Sequence, residues 1–190
     1  MVDLYLNYDG VLHPNRVSYS DGNEGRLQVS GHALFEHNAQ LVELLRDRDA
    51  VRIVLNTWWV YAFGVERAVC CLPQSLQERV DGSTLRFHDS YPEGQVPDRY
   101  ESTKEMSCKR VRAQVLILDS ADSRWPACWL PRCLLLHPLI GLGDEQVPGA
   151  FWRLLARIQR NGSESAGNQA PSRGRTPESG LPSSSLREGT

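Results

Sequence analysis

Three short apolar runs set the tightest limits on what this chain can become. They are V-D-L-Y-L at Val2–Leu6, V-R-I-V-L at Val51–Leu55 and V-L-I-L at Val115–Leu118. Each has the length of an ordinary strand and is almost continuously apolar, as strands buried on both faces are. Cys133–Leu136 is a fourth run of the same kind. Gly31–Arg46 places Leu34, Phe35, Leu41, Leu44 and Leu45 at helical spacing. Residues 60–80 read as helical, with Leu72-Pro73 starting a second short helix. Glu101–Arg110 and the amphipathic Gly149–Ile158 complete the helices, and residues 15–30 read as a polar loop or small hairpin. Strands alternating with helices predict an α/β fold: a single Rossmann-like three-layer domain around a central parallel sheet of four or five strands.

The composition fits a globular chain, with 41% hydrophobic and 23% charged residues among 190. A net charge of -2 gives no overall field for nucleic acid or an anionic membrane, so a nucleic-acid partner has no support from charge. No run approaches the length of a membrane span. Cys70, Cys71, Cys108, Cys128 and Cys133 form no metal-ligand spacing and read as free thiols, which with no signal-peptide pattern makes the cytoplasm the expected compartment. From Asn161 the sequence turns Ser-, Gly- and Pro-rich. The expected organisation is a folded domain at 1–160 and a disordered tail at 161–190.

In open parallel sheets, ligands bind beyond the carboxyl ends of the strands. Here the strand ends are polar. The first is followed by Asn7 and Asp9, the second by Asn56 and Thr57, and the third by Asp119 with Asp122 close behind. Oxygen ligands from separate strands suit a hard cation such as Mg²⁺. Asp9-Gly10 is also an ordinary turn, Thr57 an ordinary helix cap, and Lys104 an ordinary solvated lysine. Trp58, Trp59 and Trp125 read as packing residues before they read as base-stacking ones. His13 reads as an exposed loop histidine.

Taken in order, these motifs resemble the haloacid dehalogenase-like superfamily, in the branch found in Swiss-army-knife RNA-repair proteins. The resemblance rests on N-Y-D-G at Asn7–Gly10, on Leu34–Trp59, on L-P-Q-S-L-Q-E-R-V-D-G-S-T at Leu72–Thr84 and on G-L-G-D at Gly141–Asp144. It implies a Mg²⁺-dependent phosphohydrolase-type site with a minimal cap. The position of Asn7 would hold the nucleophile, and Asp9 would be the acid/base. Thr57 and Lys104 would bind phosphate, with Arg99 the other choice of cation. Asn7, Asp9 and Asp119 would hold the metal. The partner implied is a phosphorylated substrate or ligand, of a size the motifs leave open.

The chain departs from that pattern. Asn7 stands where the family has its nucleophilic Asp, and a carboxamide is a poor nucleophile towards phosphorus. Ser120 follows Asp119 where the branch often doubles the acid, and Trp58 and Val60 replace a small residue and an Arg after Thr57. The expectation is weakened or lost catalysis. The alternative is a pseudoenzyme in the strict sense, a non-catalytic module that binds a phosphate ligand or a protein.

Overall fold

The computed structural model describes residues 1–19, 25–110 and 113–167, with side chains as far as Gly162. The first apolar run forms β1 (Val2–Leu6), buried along its whole length. It pairs in parallel with β4 (Val51–Leu55) on one side and β6 (Gln114–Ser120) on the other. With β5 (Val80–Ser83) and β7 (Cys133–Leu136) at the edges, the sheet order is β5-β4-β1-β6-β7, all parallel. β2 (Val17–Ser18) and β3 (Arg26–Leu27) form a separate antiparallel pair. These five parallel strands flanked by helices are the α/β architecture expected from the sequence.

Alternation along β1 explains the layers. Val2, Leu4 and Leu6 point into the larger core, with Leu41, Leu44 and Leu45 of α1 (Asn38–Leu45) and Phe151, Leu154, Leu155 and Ile158 of α6 (Val147–Gly167). Tyr5 points to the other face and packs with Val54, Ile117, Trp129 and residues of α5 (Arg99–Lys109). Parallel pairing aligns Leu6 with Leu55 and with Leu118. The next residue of each strand, Asn7, Asn56 and Asp119, therefore stands in one row at the carboxyl edge.

Several boundaries differ from the sequence reading. The helix expected from Gly31 begins only at Asn38. Phe35 takes φ 60° and packs its ring on Tyr8, His13 and Trp59, so tertiary contacts override the local helical pattern. Residues 60–80 are three short helices, α2 (Trp58–Phe63), α3 (Val65–Cys70) and α4 (Gln74–Gln77). Gly64 at φ 85° separates the first two. β5 has only a weak apolar signal because it is a half-buried edge strand. α6 runs to Gly167, past the expected boundary at 160, and the rest of the expected tail lies outside the described residues. Among the described residues no helix is long and apolar enough to cross a membrane.

Gly10 sets the turn after β1. Its φ is 74°, and a Cβ there would lie 2.6 Å from Cβ of Ser120. Gly31 has φ 80° with open space around it. Gly10→Ala therefore carries both a backbone and a packing cost, about 3 kcal/mol in all, read as a lower urea midpoint at constant m-value. Gly31→Ala carries the backbone cost alone, roughly 1 kcal/mol.

Candidate active site

The row of strand ends brings Asn7 and Asp119 into contact. Asn7 Nδ2 donates to Oδ1 of Asp119 at 2.7 Å and to the backbone carbonyl of Asp9 at 2.8 Å. Its own Oδ1 accepts from the backbone N–H of Tyr8 at 2.9 Å. Two acceptors on one side and a donor on the other fix which way the amide faces.

Asp119 is fully buried and has four donors. They are Asn7 Nδ2, the Ser120 N–H at 2.8 Å, the indole N–H of Trp125 at 2.9 Å and the guanidinium of Arg99 at 3.2 Å. An ionised carboxylate offers about four lone-pair positions, so Asp119 is saturated. Arg99 also donates to the Asn56 carbonyl at 2.9 Å and to Ser123 Oγ at 2.9 Å, which ties the tops of β4 and β6 together.

Asp9 is buried too, and its carboxylate is held by a different set. Tyr19 O–H, Trp59 Nε1–H at 3.2 Å and His13 Nε2 at 3.1 Å all reach it. Nδ1 of His13 accepts from the Phe35 N–H at 3.3 Å, so the proton on this ring sits on Nε2 and faces Asp9. Tyr19 comes from the segment carrying the small β2–β3 pair. Burial and the neighbouring Asp9 charge push its phenol far above the usual range, so it is a donor at any ordinary pH.

His13 is completely buried, against the exposed position expected for it. Thr57 is buried as the N-cap of α2, its Oγ1 accepting from the Trp59 N–H at 3.4 Å. Lys104 does not reach the strand ends. It pairs with Glu101 at 3.2 Å, lies over the Tyr100 ring, and its side chain is 51% exposed. The cation at this site is Arg99. Asp122 is exposed and accepts from Asn15 at 3.3 Å rather than joining Asp119. The G-L-G-D turn closes onto the first loop, where Leu142 N–H donates to the Val11 carbonyl at 3.0 Å.

Sequence reasoning missed the aromatic donors Tyr19, Trp59 and Trp125. No motif or period marks an indole N–H aimed at an acid. A signal for Arg99 was present: Asp98 and Glu101 have capping-box spacing, and Asp98 does accept from the N–H groups of Tyr100 and Glu101. That starts α5 at Arg99, in the turn nearest the strand ends.

Outside Arg99 opens a cleft of about 390 Å³ lined by Trp58, Tyr100, Ser123, Arg124 and Trp125 among others. Arg124 is exposed there.

The chain belongs to the haloacid dehalogenase-like (HAD) superfamily: residues 4–147 match the family described as the HAD domain in Swiss Army Knife RNA repair proteins. No curated protein and no solved structure matches it. The superfamily generally uses Mg²⁺. The donor set seen here does not fit that ion. Asn7 turns N–H groups, not an oxygen, towards Asp119, and every Asp119 lone-pair position is already used. Among the described residues no group of three or more His, Cys, Asp and Glu is placed to hold a metal.

Breaking a buried ion pair leaves an uncompensated charge. Arg99→Met strands Asp119 and lowers the unfolding free energy by about 3 kcal/mol, measured by urea titration. Lys104→Met leaves the midpoint where it was, because that pair is solvent-screened.

Proposed function

We propose that this chain is a HAD-like domain that has given up phosphoryl transfer and keeps the recognition of a phosphate-bearing ligand at its strand-end mouth. One observation carries the first half: the group at the nucleophile position is an amide whose nitrogen donates to Asp119 at 2.7 Å. A nucleophile must present a lone pair to phosphorus. This group presents N–H bonds to a neighbouring acid and spends its oxygen on the Tyr8 N–H.

Asp9 is equally committed. A general acid/base needs a free position towards the reacting oxygen. Both of its carboxylate oxygens are hydrogen-bonded inside the fold, and Tyr19 occupies Oδ2.

The second half rests on the mouth. The exposed Arg124 brings a guanidinium to the cleft, which Arg99, already paired with Asp119, and Ser123 also line. Guanidinium groups bind phosphate through paired N–H donors. Trp58, Tyr100 and Trp125 supply apolar walls. Such a mouth takes a phosphomonoester whose organic part lies against the aromatic rings. A protein-binding module is the other non-catalytic reading, but the exposed Arg124 beside aromatic walls favours a small anion.

The test is turnover and binding in the same preparation. With an aryl phosphate and MgCl₂, the wild type shows no hydrolysis above buffer, since loss of a catalytic nucleophile removes roughly 10⁴-fold or more in rate. Turnover that disappears in Asp9→Asn overturns the proposal. In calorimetry, inorganic phosphate binds the wild type, and Arg124→Ala weakens it about tenfold. Failure of the wild type to bind phosphate or any aryl phosphate removes the recognition half.

A further inference from the structure

Two oxygens converge on the amide nitrogen of Asn7. One is the backbone carbonyl of Asp9 at 2.8 Å, the other Oδ1 of Asp119 at 2.7 Å. They come from different strand ends, and both carry negative charge or partial charge. An –NH₂ group directs both hydrogens, the positive ends of its bonds, at them. We propose that this amide is a built-in substitute for a divalent cation, so that the strand-end site assembles and stays folded without metal. The inference uses the placement of Asn7 argued above, but does not depend on the absence of turnover.

The surroundings agree with that role. The charge of Asp119 is balanced by Arg99 at 3.2 Å, without any added ion. The charge of Asp9 is spread over three donors from Tyr19, Trp59 and His13. Both carboxylate oxygens of Asp9 and of Asp119 have a donor. A cation arriving here would meet the hydrogens of Asn7, the Arg99 guanidinium and the Trp125 indole N–H. Mg²⁺ demands oxygen ligands at about 2.1 Å and gives up water reluctantly. It would have to evict a hydrogen-bond donor for each oxygen it took.

With the same backbone, a carboxylate at position 7 would set an anionic oxygen against the Asp9 carbonyl and the Asp119 carboxylate at hydrogen-bond distance. No hydrogen would lie between them. Like charges that close destabilise the fold until a cation enters. The choice of amide or acid at this one position therefore decides whether folding is coupled to metal.

The experiment measures thermal unfolding midpoints of the full chain in EDTA and in millimolar MgCl₂, with NaCl matching the ionic strength. The wild-type midpoint is expected to be equal in the two. Asn7→Asp is expected to melt about 5 °C lower than wild type in EDTA and to regain most of that loss in MgCl₂. Tryptophan emission supplies an independent measure, because the indoles of Trp59 and Trp125 bond directly to the two acids. Wild-type emission is expected to ignore Mg²⁺ and Mn²⁺. A metal-dependent midpoint or emission in the wild type overturns the inference. An Asn7→Asp chain as stable as wild type in EDTA and indifferent to Mg²⁺ also overturns it. If Asn7→Asp does not fold in EDTA, refolding in MgCl₂ supports the inference, and failure to fold in both leaves the wild-type emission titration to decide it. Hydrolysis of an aryl phosphate by a wild type insensitive to metal would sink the functional proposal and leave this one standing.

Discussion

Strand β1 is hydrogen-bonded in parallel along both edges, in a register that aligns Leu6 with Leu55 and Leu118. Everything at the site follows from that alignment. A slip of one residue would turn Asn7 and Asp119 to opposite faces of the sheet. The register is held by burial: Leu4, Leu6, Ile53, Leu55, Leu116 and Leu118 are all sealed in one core, and each would be misplaced by the same slip. The geometry at the carboxyl edge is thus bought with apolar contacts well below it.

On that frame the polar groups form two closed clusters. One centres on Asp119 and gathers donors from β1, β6, α5 and the loop to Trp125. The other centres on Asp9 and gathers Tyr19, Trp59 and His13. Asn7 joins them, with its nitrogen bonded to the backbone of one acid and the side chain of the other. Buried polar networks are stable only when every member has a partner. Here both acids meet that condition. Among the described side chains near the row, the Nδ2 of Asn56 is buried with no protein acceptor.

The central strands were legible in the sequence because burial on both faces leaves a continuous apolar run. β5 was not, because V-D-G-S is half-buried at an edge and carries almost no pattern. Asn7, Asp9 and Asp119 were legible because each comes just after an apolar run, and the carboxyl ends of such runs share one edge of the sheet. Their protonic partners were not. Trp59 sits 50 residues from Asp9 in sequence, and Tyr19 ten. Such pairings exist only once the chain is folded. The choice between Arg99 and Lys104 turned on where α5 begins. A helix starting at the Asp98 cap puts Lys104 over one turn further from the edge, roughly 7 Å along the axis.

The saturation of Asp119 has a consequence for how the chain can drift. Deleting that carboxylate would take an acceptor from Arg99, the Trp125 indole, the Ser120 N–H and the Asn7 amide at once. The acid is therefore worth keeping for the sake of the folded state alone. Selection for folding alone would hold this acid in place, whether or not the site does chemistry. In chains built this way, a surviving signature acid testifies to architecture, and only the atoms left free around it testify to catalysis.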